Sequence, residues 1–275
     1  MGRFRYGTSS WSEASWVGPF YPPGTKQGDF LSVYSERFDC VEADVTYYRI
    51  PDERLVDGWR RKTPEGFALC AKFPRSVVHG GEAATPDPAA VLVPDAVWGD
   101  VERFLAAMAR LGDRLGPLVL QFPYFNRKVF PGPEPFRERL AAFLDRLPRG
   151  FRYGVEVRNK AWIDERLLGL LRERGVALVL VDIAYMPHPA DLAETLDLVT
   201  ADFAYARLIG DRKAVEERTE TFDRVVLDTG PRLERWADLV RDLLARVPDE
   251  VYAFANNHYA GHGPATIEDL AARVA

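Results

Sequence analysis

Eight short runs of β-forming residues recur along the chain, with stretches of helical periodicity between them. The runs are Phe4–Gly7, Cys40–Asp44, Phe67–Phe73, Leu118–Phe122, Tyr153–Arg158, Val176–Asp182, Phe203–Leu208 and Val251–Asn256. Strand alternating with helix implies an α/β fold with a parallel sheet, because parallel neighbours need a crossover connection. The run Val176–Asp182 is almost continuously apolar, as a strand covered on both faces must be. Eight such units in 275 residues fit a closed (β/α)8 TIM barrel, usually about 250 residues long, better than an open doubly wound sheet. Neither GxGxxG nor a Walker A sequence occurs to support a nucleotide-binding open sheet. No linker or change of composition divides the chain, so residues 1–275 read as a single domain.

The connections follow the same logic. Phe30, Leu31, Val33, Tyr34 and Phe38 recur at helical spacing. Pro51 to Lys62 reads as a second helix, with a proline at its start and Asp52 and Glu53 in its first turn. Further helices are predicted over 97–111, 134–147, 164–174, 233–247 and 266–274. Residues 183–202 lack periodicity and have room for a short helix only. Ser76 to Pro94, rich in Gly, Pro and Ala, reads as a mobile loop insertion after strand three.

In a barrel of this kind, function sits at the carboxyl ends of the strands. Here those ends carry Trp11, Glu42, Asp44, Lys72, Gln121, Glu156, Arg158, Asp182, Arg207, Asn256 and Asn257. Every wall finishes in polar groups although the strands are otherwise apolar, which predicts a shared polar pocket. Lys72 is expected to pair with Glu42 or Asp44 on the neighbouring strand, and Glu156 with Arg158 or a group on a neighbouring strand; these charges either serve a ligand or form a structural ion-pair ring that fills the barrel's upper layer. Arg207 and Gly210, with the glycines after strand eight, suggest an anion site of the type such barrels build from their last two loops. The alternative is that the glycines only make turns and that Arg207 pairs with Asp182. Tyr47 and Trp11 belong to a set of loop aromatics, with Trp16, Tyr21, Tyr48, Tyr124, Phe125 and Trp162, that either stack on a ligand ring or pack the rim.

Several classes are disfavoured. The net charge of -5 argues against a broad basic nucleic-acid surface. No apolar run is long enough to span a bilayer, no signal-peptide pattern opens the chain, and a cytoplasmic location without membrane partners is expected. Cys40 and Cys70 form no CxxC pair and read as small buried hydrophobes. His79, His188, His258 and His262 all fall in loops and make no HxH or HExxH pattern, so no metal ligand is assigned. No cofactor is predicted, though carboxylates from strands two, five and six leave room for a divalent metal.

The ordered segments Gly7-Thr-Ser-Ser-Trp11, Phe20-Tyr-Pro22, Val41-Glu-Ala-Asp-Val-Thr-Tyr-Tyr48, Gly116-Pro-Leu-Val-Leu-Gln-Phe-Pro123, Glu156-Val-Arg158 with Trp162, Tyr205-Ala-Arg-Leu208 and Phe254-Ala-Asn-Asn257, together with Lys72, resemble the YecE-like family, also called the domain of unknown function 72 family. The resemblance covers nearly the whole chain. It implies a single TIM barrel and no settled activity. The chain departs from the family pattern at Asp44 (usually Asn), Asn159 (usually His), Ile209 (usually His) and His258 (usually an acid), which tells against any role that would need a histidine at 209 or an acid at 258.

Three functions follow from these residues. The first is an enzyme, a hydrolase or isomerase, acting on a small anionic ligand such as a phosphorylated sugar or nucleotide. In that reading Arg207 clamps the anion, Lys72 and Arg158 stabilise developing charge, and Glu42 or Glu156 serves as acid or base. Trp11, Asp44, Tyr47, Gln121, Asp182, Gly210, Asn256 and Asn257 complete the ligand contacts. Glycosidase chemistry is disfavoured, because strands four and seven end in Gln121 and Arg207 and not in a carboxylate pair. The second is a nucleic-acid binder or nuclease resembling barrels of the endonuclease IV type. The third is a non-catalytic binding protein. The oligomeric state is not legible.

Overall fold

The computed structural model describes residues 2–275. Its eight strands are β1 (Arg3–Thr8), β2 (Cys40–Ala43), β3 (Ala68–Lys72), β4 (Leu115–Gln121), β5 (Tyr153–Glu156), β6 (Ala177–Ile183), β7 (Ala204–Gly210) and β8 (Glu250–Ala255). They form one parallel sheet in the order β1-β8-β7-β6-β5-β4-β3-β2, with a helix following each strand. The expected (β/α)8 barrel is therefore what the chain builds.

The ring meets itself at β1 and β2 without a ladder. Tyr34 supplies the missing link: the Thr8 N–H donates to its hydroxyl at 2.8 Å, and the hydroxyl donates to the Cys40 carbonyl at 3.2 Å. The approach is close enough to require Gly7, since a Cβ there would sit 2.2 Å from the Cys40 carbonyl oxygen.

Side chains fill the interior in layers. At the amino-terminal end Glu250 lies between Arg5 and Arg152, and Arg152 also donates to the Tyr252 hydroxyl at 2.7 Å. Above it Cys40, Cys70, Val119, Val179, Tyr205 and Phe254 pack as an apolar plug. Both cysteines are free and buried, as their setting among apolar residues implied. The larger apolar cluster fills the space between barrel and helices.

Connections match the periodicity closely. The helices run over Glu53–Lys62, Pro94–Ala109, Pro133–Arg146, Glu165–Arg172, Gly230–Arg246 and Gly263–Val274. Starts move to prolines 94 and 133, because a proline in the first turn has no N–H to waste. The unperiodic stretch 183–202 holds one short helix, Pro189–Ala193. The insertion after β3 begins with a helical turn, Arg75–Val78, and is tethered at both ends, with Val77, Val78, His79, Val91 and Leu92 buried. No helix among the described residues is long and apolar enough to cross a membrane.

Candidate functional site

Inward positions near the carboxyl ends of five strands meet at one level. Glu42 (β2), Lys72 (β3), Gln121 (β4), Glu156 (β5) and Arg207 (β7) converge there, and the register sets Gln121 directly beside Glu156. Arg207 is 2% exposed and spends its guanidinium on the layer itself. Its Nη1 donates to Glu156 Oε2 at 2.5 Å and to Gln121 Oε1 at 2.7 Å. Its Nε and Nη2 donate to Glu42 Oε1 at 3.1 and 2.9 Å. The Tyr205 hydroxyl donates to Glu42 Oε2 at 2.7 Å. Lys72 Nζ contacts Glu42 at 3.1 Å and also pairs with Asp44. Arg158 Nε donates to Glu156 Oε1 at 2.7 Å. The expected pairings of Lys72 and of Glu156 are thus present. The offered Arg207–Asp182 pair is not, because the two side chains leave the sheet on opposite faces.

Proton affinities follow from these contacts. Burial alone would push Glu42 up, but Arg207 and Lys72 outweigh it and hold the carboxyl at about 2. Glu156 is likewise driven up by burial and brought below its ordinary value by Arg207 and Arg158. Both carboxylates are completely enclosed, and the neighbouring cations hold them ionised. Asp44 differs. Burial, reinforced by the Glu42 charge, raises its proton affinity above the ordinary value in spite of Lys72.

A cavity of about 690 Å³ opens above this layer. Of the residues expected to bind ligand, Asp44, Tyr47, Lys72, Gln121, Arg158, Arg207, Gly210 and Asn256 line it. Glu42 and Glu156 lie beneath its floor. Trp11 lines a neighbouring groove, edge-on to Trp59 at 5.6 Å, and that groove shares Asp44 and Tyr48 with the cavity. Asp182 points outward from β6, where its buried carboxylate accepts from Arg232, from Trp236 Nε1 at 3.0 Å and from the Tyr259 hydroxyl at 3.0 Å. It fastens the helix Gly230–Arg246 to the barrel and does not line the cavity. Asn257 is also used internally, accepting from Trp16 Nε1 at 3.2 Å and the Gly263 N–H at 2.9 Å.

The loops after β7 and β8 differ from the expected backbone anion cradle. Asp211 accepts the Ala214 N–H and Asn256 accepts the His258 N–H, so side chains already cap those donors. Gly210, at φ 78°, is needed because a Cβ there would meet Tyr259 Cα at 2.4 Å. Tyr185, Arg212, Lys213 and His258 also line the cavity and were not singled out as ligand contacts from sequence. Arg212 and Lys213 follow Gly210-Asp211, a basic pair just past a strand end that was legible and unused. Half of the loop aromatics, Trp16, Tyr21, Phe125 and Trp162, are buried in the rim, whereas Tyr48 and Tyr185 stay exposed at the cavity and Tyr124 is exposed in the loop after β4. Among the described residues, no three of His, Cys, Asp and Glu are grouped to hold a metal ion.

Comparison with known proteins places this geometry among proteins without an assigned role. The family described as "Protein of unknown function DUF72" matches residues 5–275. The UPF0759 protein YecE of Escherichia coli K12 is 33% identical over 183 residues, which is 64% of this chain and 58% of that relative. A crystal structure of a DUF72 family protein from Thermotoga maritima superposes with a TM-score of 0.73 at 28% identity, covering 98% of each chain. One from Enterococcus faecalis gives 0.70 at 18% identity, covering 98% of this chain and 95% of that one, and shares the fold.

Proposed function

The chain belongs to the DUF72 family, and from that premise we propose that it is an enzyme that binds a small phosphorylated or otherwise anionic molecule in the cavity over the carboxyl ends of the strands. The observation that carries this reading is the polarity of the hydrogen-bonding groups left facing the cavity. Gln121 Oε1 accepts from Arg207, and Asn256 Oδ1 accepts from the His258 N–H. Both amides are thereby oriented with their NH2 groups unpartnered among the described residues. Arg158 is pinned through Nε, and its two terminal nitrogens have no protein partner either. On these three side chains the acceptors are spent internally and the donors remain, which suits an acceptor-rich anion.

Roles follow from position. Arg158 grips the anion, with Arg212 and Lys213 adding positive potential at the rim. Lys72 stabilises negative charge that develops nearer the floor. Asp44, the cavity carboxyl with elevated proton affinity, exchanges protons. Glu42 and Glu156 act through others, holding Lys72, Arg207 and Arg158 in place.

Thermal unfolding tests the reading. Wild type and Arg158→Ala are compared with inorganic phosphate, ribose 5-phosphate, mononucleotides and a short DNA, each with and without Mg²⁺. A ligand at about 100 times its Kd adds about 2.7 kcal/mol, or roughly 5 °C for a chain of this size. A phosphorylated small molecule should produce this shift in wild type, and Arg158→Ala should abolish it while remaining folded. Absence of any shift in wild type refutes the proposal. A shift with DNA alone, collapsing steeply with salt, replaces it with a nucleic-acid function.

A further inference from the structure

One hydrogen bond at the cavity wall joins residues from two different loops. Tyr47, in the turn Val45–Tyr48 after β2, lies with its hydroxyl 2.9 Å from Nε2 of His79, which closes the turn Arg75–Val78 after β3. The direction of this bond is fixed from the far side of the imidazole. His79 Nδ1 is 3.2 Å from the Ala83 carbonyl, which can only accept. Nδ1 therefore carries the ring proton, Nε2 carries the lone pair, and Tyr47 donates. The insertion after β3 holds the ring in this pose. The Asp87 N–H donates to the His79 carbonyl at 2.8 Å. Gly80 turns the chain at φ 74°, where a Cβ would lie 2.4 Å from Val91 N. His79 is 4% exposed, and that burial keeps it neutral.

The Tyr47 side chain lines the cavity and its proton is committed away from it, so the oxygen offers its lone pairs to whatever binds there. Burial pushes the Tyr47 phenol up, while Arg158 and Arg75 pull the other way and Tyr48 and Glu156 add to the rise. Free phenolate is scarce under those conditions, and the oxygen reacts only if a neighbour takes its proton. His79 is the neighbour placed to do so.

We propose that Tyr47 and His79 form a proton relay in which the Tyr47 oxygen takes a proton from a hydroxyl of the bound molecule as its own proton passes to His79 Nε2. Tyr47 is the catalytic residue of the pair and His79 is the base behind it. The identity of the bound molecule rests on the proposed function, but the relay's chemistry does not, and it is testable without that ligand. An arylsulfonyl fluoride reports the same event: the Tyr47 oxygen bonds to sulfur, the S–F bond breaks, fluoride leaves, and the phenol proton goes to His79 and then to water.

The experiment labels the intact protein with benzenesulfonyl fluoride and follows each tyrosine by peptide mass spectrometry. Tyr48, Tyr124 and Tyr185, which are 65%, 63% and 53% exposed, serve as internal references. Half-buried Tyr47 should outpace all three by at least about tenfold, within the range of general-base assistance. His79→Gln keeps an acceptor oxygen for the phenol but is no base. It should bring Tyr47 to or below the reference rates while leaving those rates unchanged. Tyr47 labelling in wild type no faster than the references overturns the proposal, and so does undiminished labelling in His79→Gln. If that variant does not fold, the wild-type comparison decides alone. Because no anion is present, a failure of phosphate binding leaves this result standing, and the converse holds.

Discussion

Replacing Arg207 with methionine would convert a balanced buried layer into one with too much negative charge. Arg207 bonds to both Glu42 and Glu156, and all three side chains are essentially inaccessible. Removing one partner of a buried ion pair costs about 3–5 kcal/mol, most of it the penalty of the charges left behind. The sign of the pH effect follows. In wild type both carboxyls titrate below their unfolded value near 4.5, so their contribution is full above that pH and is lost as the pH falls through their folded values, which for Glu42 is about 2. In Arg207→Met the burial remains and the main counter-charge is gone. Glu42 retains Lys72 and Glu156 retains Arg158, but the carboxyl left less compensated should titrate above its unfolded value. Its stability is then highest at low pH and is lost as the pH rises through the new folded value. Each pH unit of separation is worth about 1.4 kcal/mol, so the penalty should grow by about 2 kcal/mol between pH 5 and pH 8. Urea unfolding of both proteins at the two pH values measures this, with slopes checked for equality. Arg207→Met combined with Glu156→Gln should recover part of the loss, because the amide fills the same space without the charge. A penalty below about 1 kcal/mol, or one that does not change with pH, would show that the layer is not an electrostatic unit.

Two further substitutions probe the framework. Tyr34→Phe leaves the Thr8 N–H and the Cys40 carbonyl without their bridging hydroxyl, and it should cost about 1–3 kcal/mol in urea unfolding. An unchanged midpoint would mean that the two strands pair directly once the hydroxyl is gone. Asp182→Asn weakens the contacts to Arg232, Trp236 and Tyr259 together and should lower stability by about 2–4 kcal/mol, while any ligand-induced thermal shift stays at its wild-type size. A selective loss of the ligand shift would return Asp182 to the binding site.

How much was legible depends on what kind of neighbour each residue has. Eight strands, their crossovers and the pairings Lys72–Glu42, Lys72–Asp44 and Glu156–Arg158 involve adjacent strands or adjacent residues, and alternation along the chain is enough to find them. Arg207 reaches Glu42, Gln121 and Glu156 across the interior, and nothing in a linear sequence measures the width of a closed barrel. Asp182 was misplaced for a different reason. Its strand is apolar on both faces, so the period-2 pattern that would tell inside from outside is erased where it is most needed. His79 sits beside a segment rich in Gly, Pro and Ala with no periodicity, and its pairing with Tyr47 depends on how that segment folds back. Asn159 reads as a departure from the family pattern, yet it makes two hydrogen bonds to the backbone of Phe125 and ties the loop after β4 to the one after β5.

The seam at β1 also constrains the order in which the molecule can be assembled. The ladder of β1 runs along β8, bringing together Arg5 and Glu250, 245 residues apart in the chain. Toward its sequence neighbour β2 it has the Tyr34 bridge in place of a ladder. During synthesis the first strand therefore waits for the last, exposing an unpaired edge while the other seven repeats accumulate. Closing that longest loop is an entropic step that no earlier contact rewards, so ring closure belongs at the end of folding. A circular permutant opened between β1 and β2, with the native termini joined, would place β1 directly after β8 and turn the slowest encounter in the molecule into a local one.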